Sequence, residues 1–296
     1  MAELPKESYL VSAVFYFGER GNSLSVITIS RGSHSHGKEI AEKVAHTLGY
    51  ECISREILLE ASQQFNIPEI KLEKAIHDAP SILERFTHGK EKYIAFIRAT
   101  LLKELQKDNV VYHGLAGHFF VQGIPHVLKV RIIANIEDRV REDMKITGFS
   151  SRSLTRHLLK KDDEERRKWG LHLYGKDTSD PNLYDMVLHV QTMTVDEAVQ
   201  IIVSASKLPS YQTTPRSQSI LDDLCLAAQV EASLVHEFNV ARVTAKEGSI
   251  HVTIRASLKE EAAIVQKVTE IAQQVSGVKA VSVDVVEAAF LSGMGR

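Results

Sequence analysis

The stretch from Val26 to Tyr50 constrains the fold of this chain more than any other. It reads VITISRGSHSHGKEIAEKVAHTLGY. The β-branched run at its start predicts a strand, the small polar residues predict a turn, and the apolar residues that follow at helical spacing predict a helix. A strand, a turn and a helix in this order direct backbone N–H groups and the positive end of the helix at one point. The stretch therefore predicts an anion site at the turn.

The turn contains a phosphate-loop pattern with one departure. Gly32, Gly37 and Lys38 fit G-x-x-x-x-G-K, whereas Glu39 stands where Ser or Thr is usual. We expect Lys38 to follow charge between the β- and γ-phosphates, and Glu39 to hold Mg²⁺ directly or through water. The predicted phosphate-binding residues are Gly32, Ser33, His34, Ser35, His36, Gly37, Lys38 and Glu39.

Two alternatives to a phosphate site stay open at this turn. His34 and His36 are bulkier than glycine; they can donate hydrogen bonds to phosphate, but they are also metal-ligand types. An ordinary polar connection between a strand and a helix would show the same short pattern by chance. The strand–turn–helix setting favours phosphate binding.

Strands and helices alternate through the first two-thirds of the chain. Apolar runs predict strands over 109–114, 127–134 and 184–190, and helical periodicity predicts helices over 137–145, 153–169 and 195–206. Thr194 and Glu197 have the spacing of a capping box for the last of these helices. This order predicts an α/β fold with a mainly parallel sheet.

A change of composition separates a second unit from the first. Residues 207–219, KLPSYQTTPRSQS, are rich in Pro, Ser, Thr and Gln, which is typical of a linker. A helix from Ile220 to about Val235, two strands, a second helix and a last strand are predicted beyond it, giving a small α+β unit of order α-β-β-α-β with an antiparallel hairpin. The predicted division is a first domain over 1–206, a linker over 207–218 and a second domain over 219–290.

Charge and cysteine content limit the partners and the compartment. The formal net charge of −2 gives no global attraction to nucleic acid, so we expect no nucleic-acid partner. Cys52 and Cys225 fit neither a metal spacing nor a disulfide framework, which favours a reducing compartment. With no apolar run long enough for a transmembrane segment and no convincing signal peptide, we expect a cytoplasmic protein.

The helix predicted over 153–169 is strongly basic. Arg156, Arg166 and Arg167 could close over a phosphoryl group and neutralise charge in a transition state. The helix also contains a run of acids from Asp162 to Glu165, so a solvated helix with internal ion pairs explains the same composition. Composition alone favours that second interpretation.

Several motifs together resemble the cytidylate-kinase-like family. Residues 27–31 (ITISR), Ser35, the segment from Gly37 to Ala41 and residues 55–57 match its first motifs. The resemblance continues through the strand before Gly114 and through 137–140 (EDRV). It also includes Lys161, Asp163 and Arg166, then 175–177 (GKD) and Tyr184-Asp185, and it covers about residues 25–205.

The resemblance implies a three-layer α/β/α P-loop nucleoside monophosphate kinase-like domain. By implication the chain transfers a phosphoryl group from ATP, with Mg²⁺, to a monophosphate such as CMP or dCMP. The implied catalytic residues are Lys38, Arg156, Arg166 and Arg167, and the implied acceptor-binding residues are Ser54, Arg55 and Gly114.

The sequence departs from the family pattern at four positions. His34 and His36 replace loop glycines, Ser54 replaces an Asp near the acceptor, and Leu115 replaces the Arg that follows Gly114. Each change removes backbone room or a charge that binds nucleotide. The alternative is therefore a weakly active or inactive nucleotide-binding regulator that signals through the second domain.

The second domain resembles a BON domain. Gly248 precedes the alternating strand from Ile250 to Ile254, and Gly277 precedes the final strand, while Ala256 stands where that family usually has a second glycine. The resemblance implies a protein or lipid ligand. A purely structural appendage is the alternative.

Overall fold

The computed structural model of this protein describes residues 25–54, 56–66, 90–114 and 117–287. This part of the chain forms one sheet of five strands and one of three. The strands of the larger sheet are β1 (Val26–Arg31), β2 (Glu51–Ile53), β3 (Val110–His113), β4 (Val127–Ala134) and β5 (Met186–Val190). They lie in the order β2-β3-β1-β4-β5 and every neighbouring pair is parallel, so the predicted parallel α/β sheet is confirmed.

Helices connect these strands on both sides of the sheet. They are α1 (Gly37–Leu48), α2 (Glu56–Phe65), α3 (Lys90–Leu105), α4 (Gly117–Phe120), α5 (Ile136–Thr147), α6 (Arg152–Tyr174) and α7 (Val195–Ser206). The capping box predicted for α7 is present, because Thr194 Oγ1 accepts from Glu197 N while the Glu197 carboxylate accepts from Thr194 N. Helix α6 begins after Ser151, whose hydroxyl caps it, and extends past the predicted end at Trp169.

The five-stranded sheet has a separate apolar core on each face. Alternate residues of a strand point to opposite faces, so Val26 packs in one core and Ile27 and Ile29 in the other. The first core contains the apolar faces of α2 and α3, and the second contains those of α1 and α7. These three layers bring the carboxyl ends of β1 and β4 to one edge of the sheet, where ligands bind in folds of this kind.

The C-terminal part has the predicted order of elements. It consists of α8 (Pro215–Leu234), β6 (Val240–Lys246), β7 (Ser249–Ala256), α9 (Glu261–Gln273) and β8 (Ala280–Glu287). Strands β6 and β7 pair antiparallel, and β8 adds parallel to β7. Ile250, Val252 and Ile254 of β7 alternate onto the face that packs against the helices.

Helix α8 differs from the sequence prediction in its start and in its packing. It begins at Pro215, capped by Thr214, rather than near Ile220, so the stretch predicted as a linker over 207–218 includes its first turn. A 3₁₀ turn, Pro209–Tyr211, precedes it. The physical reason is local: Thr at the N-cap, Pro at the first helical position and Ser217 closing the capping box together start a helix that composition alone hides.

Helix α8 belongs to two cores at once. Leu221, Cys225 and Ala228 pack into the first core of the large sheet, whereas Val230 and Leu234 pack under the small sheet. An ion pair between Arg98 Nη1 on α3 and Glu231 Oε2 on α8, at 2.9 Å, adds a polar contact. The two predicted domains are therefore joined by shared core, and their exact division stays a prediction.

None of the described helices combines the length and the apolar character that a membrane-crossing segment needs.

Candidate phosphate-binding site

The predicted phosphate loop connects β1 to α1 in a conformation that glycine normally adopts. His34 and His36 have φ values of 54° and 63°, so both lie in the left-handed region. Gly37 is needed for a different reason, since a Cβ there would lie 2.5 Å from Cβ of Arg31. The loop thus has the backbone of a glycine-rich turn although two of its residues are histidines.

Four side chains of this loop pair with neighbouring residues and do not line the cavity beside it. His34 Nε2 lies 3.8 Å from Asp143 Oδ1 on α5, and His36 Nδ1 lies 3.5 Å from Glu39 Oε2. Glu39 also pairs with Lys43 Nζ at 3.1 Å. Lys38 is two-thirds exposed, with Nζ 3.7 Å from Glu42 Oε1. The two imidazoles therefore neither fill the cavity nor line it.

The cavity has a volume of about 380 Å³ and opens between the phosphate loop, the carboxyl end of β4 and helix α6. Gly32 and Ser35 of the loop line it. Six cationic side chains also line it: Arg31, Arg131, Arg139, Lys160, Arg166 and Arg167. Among the described residues, the acidic side chains of the lining are Asp163, Glu164 and Asp177, so positive charge is in excess there. Such a cavity favours a polyanion, and a phosphate ester is the simplest.

Arg139 is a site residue that the sequence analysis did not select. Its Nε donates to the carbonyl oxygen of Ser33 at 2.8 Å, and its two terminal nitrogens donate to Asp163 on α6 at 2.7 and 3.0 Å. Its guanidinium carbon would lie 3.3 Å from a Cβ on Gly32, which explains a glycine at that position. Arg139 belongs to the segment EDRV, which resembles the family, and that resemblance was the sequence feature that could have identified it as a site residue.

Arg166, predicted as a clamp, contacts the loop directly. Its Nη2 donates to Ser33 Oγ at 2.5 Å and its Nη1 to the carbonyl oxygen of Arg31 at 3.3 Å. Ser33 Oγ in turn donates to Asp162 Oδ2 at 3.2 Å. Helix α6 is therefore docked on the phosphate loop through Ser33.

Burial leaves part of the positive charge in the cavity uncompensated. Burial lowers the pKa of Arg166, and burial followed by the charge of Arg166 lowers the pKa of Arg31. The Arg31 Nε atom is buried, and no described group accepts its hydrogen bond. An anion in the cavity would relieve both effects, because it would supply the missing acceptor and opposite charge.

The other two predicted arginines lie in different settings. Arg167 lines the cavity and pairs with Glu164 Oε1 at 2.9 Å and with Asp177 Oδ2 at 3.5 Å. Arg156 lies outside the cavity lining and pairs with Glu137 on α5. The structure therefore brings Arg166 and Arg167 to the cavity and leaves Arg156 at its outer side.

The predicted acceptor-binding residues are only partly described. Ser54 is partly buried at the end of β2, and Gly114 follows β3, where a Cβ would lie 2.5 Å from the Tyr112 hydroxyl. Neither lines the cavity. Arg55 and Leu115 lie outside the described residues.

One wall of the cavity is aromatic. His118 and Phe119 of α4 and Trp169 of α6 line it, and the His118 and Phe119 rings lie 4.1 Å apart. Burial, with a smaller effect of the Arg131 charge, lowers the pKa of His118 to about 3. His118 is therefore neutral at any physiological pH. It adds no charge to the arginines.

A metal site built from protein side chains alone is not found in the described ranges. No group of three or more His, Cys, Asp and Glu residues there is arranged to hold a metal ion. The predicted Mg²⁺ ligand Glu39 is engaged by Lys43 and His36. The cavity residues fit the phosphates of a nucleotide better than they fit a cation.

The five-stranded parallel sheet, the loop at the end of β1 and the cationic cavity beneath α6 together define an α/β protein with the fold of P-loop kinases. Within that class, the family model described as the cytidylate kinase-like family matches residues 26–192. The chain belongs to this family.

Several known proteins are similar to this chain. A cytidylate kinase from Pyrobaculum aerophilum is 24% identical over 177 residues, which are 60% of this chain and 89% of the relative. An uncharacterized protein from Eubacterium ventriosum has a TM-score of 0.47 and 17% identity, covering 62% of this chain and 98% of its own. A shikimate kinase from Bacteroides thetaiotaomicron has a TM-score of 0.39 and 12% identity, covering 62% and 99%.

Proposed function

We propose that this protein binds ATP at the loop of residues 32–39 and transfers its terminal phosphoryl group to a small phosphorylated acceptor, such as a cytidylate-like nucleoside monophosphate. The observation that carries the proposal is the cationic cavity that adjoins the loop and extends under helix α6. Family membership and the similarity to a cytidylate kinase support the same conclusion.

The chain's own residues would contribute positioning and charge neutralisation. Arg166 and Arg167 face the cavity from α6, and Arg131 and Arg139 face it from the end of β4 and from α5. Phosphoryl transfer needs the two reactants in line and the charge on the equatorial oxygens balanced, and guanidinium groups do both. A monophosphate acceptor is already a nucleophile, so no general base is required.

Mg²⁺, when bound with ATP, would supply further neutralisation of the β- and γ-phosphate charge. Glu39 is the candidate side chain, and it would first have to leave Lys43 and His36. Because Mg²⁺ keeps several waters and uses few protein ligands in such sites, one carboxylate is a sufficient protein contribution.

A coupled assay tests the proposal. Purified protein is given MgATP and, separately, CMP, dCMP, UMP and AMP, and ADP formation is followed. We expect turnover that requires an acceptor and falls roughly a hundredfold or more in Arg166→Ala and Lys38→Ala. Lys145→Ala is the matched control, because Lys145 is an exposed lysine on α5 outside the cavity lining. Full turnover in both site variants, or no nucleotide binding at all, would contradict the proposal.

A second candidate is a nucleotide-binding regulator with little or no turnover. The observation that favours it is the placement of Lys38 and Glu39, which pair with neighbouring residues rather than facing the cavity. Helix α8, which packs in the cores of both parts of the chain, would connect the nucleotide site to the C-terminal unit. Calorimetric binding of ATP without acceptor-dependent ADP formation would support this candidate over the enzyme.

The C-terminal unit supports only a general proposal. Its α-β-β-α-β order is compatible with a BON-like domain that binds a protein or lipid ligand. Co-sedimentation of the full chain with anionic phospholipid vesicles, compared with zwitterionic ones, tests the lipid case. The cytoplasmic location expected from the sequence stays a prediction.

A further inference from the structure

The hydroxyl group of Tyr184 connects four elements around the cavity without lining the cavity itself. Tyr184 is 8% exposed and lies just before β5. Its oxygen is 2.8 Å from the carbonyl oxygen of Thr178, 3.1 Å from Arg131 Nη1, 3.3 Å from His118 Nε2 and 3.4 Å from Ser30 Oγ. These partners belong to the loop after α6, to β4, to α4 and to the end of β1.

The chemistry of these groups determines which of them donates. A phenol has one hydrogen, and the Thr178 carbonyl oxygen, its nearest partner, can only accept. With that hydrogen used, the Tyr184 oxygen accepts from Arg131 and from one more donor, and a protonated Nε2 of His118 is nearer to it than Ser30 Oγ is. This assigns His118 the Nε2–H tautomer, in which Nδ1 is a buried lone pair without a partner among the described groups.

Arg131 is the member of this network that reaches the cavity. Its Nη1 donates to the Thr178 carbonyl oxygen at 2.6 Å and to the Tyr184 hydroxyl at 3.1 Å. Its guanidinium carbon also lies 5.4 Å from the centre of the Tyr184 ring, which is cation–π distance. Tyr184 therefore restrains the guanidinium both through its hydroxyl and through its ring.

We propose that Tyr184 is a positioning residue of this site: it holds the Arg131 guanidinium in the orientation that meets the phosphate groups of the ligand. The identity of that ligand rests on the proposed function, whereas the hydrogen-bond network does not. Removing the hydroxyl leaves the ring and the charge of Arg131 in place but takes away one of the two acceptors that orient Nη1.

The chain offers a matched control in Tyr174, at the end of α6. Its hydroxyl is buried and no described group pairs with it, and its ring stacks on Phe119 at 4.3 Å. Tyr174→Phe and Tyr184→Phe thus remove the same atom from the same aromatic neighbourhood. Only the second change removes a hydrogen-bond partner of Arg131.

Calorimetric titration with MgATP, and separately with pyrophosphate, compares these variants with the wild type. We expect Tyr184→Phe to weaken binding about tenfold and Tyr174→Phe to change it less than twofold. Equal affinities in the two variants would overturn the proposal while the proposed function stands.

A double-mutant cycle separates positioning from general damage. Arg131→Lys keeps the charge but loses the planar group that spans both acceptors. If Tyr184 acts through Arg131, the double variant Tyr184→Phe/Arg131→Lys binds no more weakly than Arg131→Lys alone. Losses that multiply in the double variant would show an independent role of Tyr184 and overturn the proposal.

The ring nitrogens of His118 give a readout that requires no ligand. In ¹⁵N NMR spectra of the wild type we expect the Nε2–H tautomer, a shifted tautomer ratio in Tyr184→Phe, and no change in Tyr174→Phe. An Nδ1–H tautomer in the wild type would contradict the donor assignment of the Tyr184 hydroxyl and leave its contact with Arg131 in place, so the affinities and the double-mutant cycle decide the role of that contact. If neither MgATP nor pyrophosphate binds the wild type, the proposed function fails, and this measurement still decides the network.

Discussion

Two histidines in the phosphate loop show which features of a residue the sequence predicts and which it does not. The sequence identified His34 and His36 as unusual, and the structure gives both the positive φ of glycine. What the sequence could not provide is the direction of their side chains, because the partner of His34 is Asp143, more than a hundred residues away. Short-range patterns predict the backbone of a turn, whereas side-chain partners depend on tertiary packing.

Replacing His36 by glycine is expected to stabilise the protein. A residue with a Cβ pays about 1 kcal/mol or more in the left-handed region, which glycine does not pay. His46→Gly is the matched control, because His46 lies in the last turn of helix α1, where the same replacement is expected to cost about 0.3–0.5 kcal/mol. Urea denaturation should therefore move the midpoints of the two variants in opposite directions. A loss of stability in His36→Gly would contradict the strain argument.

His118 is expected to make the protein less stable in acid. Its folded pKa of about 3 lies below the value of about 6.5 in an unfolded chain. At a pH between the two pKa values, His118 is protonated in the unfolded state and neutral in the folded state. Protonation therefore favours unfolding, and the protein loses stability as the pH falls below about 6.5. The loss from this residue should be about 2 kcal/mol at pH 5.

Urea denaturation at pH 8 and pH 5 measures this effect in the wild type and in His118→Asn. The variant should lose less stability between the two values, although burial also lowers the pKa of His126, so some loss remains. His157→Asn, at an exposed position on α6, should behave like the wild type. If His118→Asn and the wild type lose the same stability between pH 8 and pH 5, protonation of His118 does not destabilise the folded protein, which would contradict this prediction.

At the scale of elements, the strands were more predictable than the junction between the two parts of the chain. Strand β4 begins and ends as expected, because its β-branched and other apolar residues predict a strand although Lys129 and Arg131 interrupt them. Helix α8 was predicted to start too late and to serve only the C-terminal unit. The sequence does not indicate which core each apolar residue of α8 packs into, and the structure divides these residues between two cores.

Because α8 packs in both cores, a substitution that destabilises the core under the small sheet should also destabilise the first part of the chain. Ile254→Ala removes a fully buried side chain from β7 and should cost about 2–5 kcal/mol. Trp169, the single tryptophan, is buried in the first core and reports its unfolding by fluorescence. We expect its transition to move to lower urea together with the far-ultraviolet circular dichroism.

Leu258→Ala is the matched control for this experiment, since that leucine lies in the same unit but is about half exposed. It should change the free energy of unfolding by no more than about 0.5 kcal/mol. A Trp169 transition that stays in place in Ile254→Ala, while circular dichroism separates into two steps, would mean that the two parts unfold independently.

At the scale of the whole molecule, the sign of the net charge differs from the sign of the charge around the cavity. The chain carries a formal net charge of −2, yet its cavity collects six cationic side chains against three acidic ones. The net charge implied that any anion site must be local, and the pattern of residues 32–38 predicted where that site would lie. The excess of arginine around it became visible only with the fold, because the lining residues come from β1, β4, α5 and α6.

Pyrophosphate binding should therefore weaken as salt rises. Screening lengths shrink from about 10 Å at 0.1 M to about 3 Å at 1 M ionic strength, so we expect roughly a tenfold loss of affinity over this range. The salt dependence should be shallower in Lys160→Ala, which removes one cavity cation, and unchanged in Lys145→Ala. Isothermal titration at several potassium chloride concentrations measures the slopes, and affinity that is indifferent to salt would exclude charge as the main attraction.

The position of helix α8 also bears on how the protein is made. During synthesis the N-terminal part of a chain usually folds first, as soon as its core is complete. Here the core of the large sheet includes Leu221 and Val235, which the ribosome adds well after the last strand of that sheet. At about 5–20 residues per second, the core stays incomplete for roughly 1.5 to 6 seconds after Ser206 has been added. In that interval α8 does not yet cover the apolar face of α3, so a chaperone that binds nascent chains could bind to this exposed face.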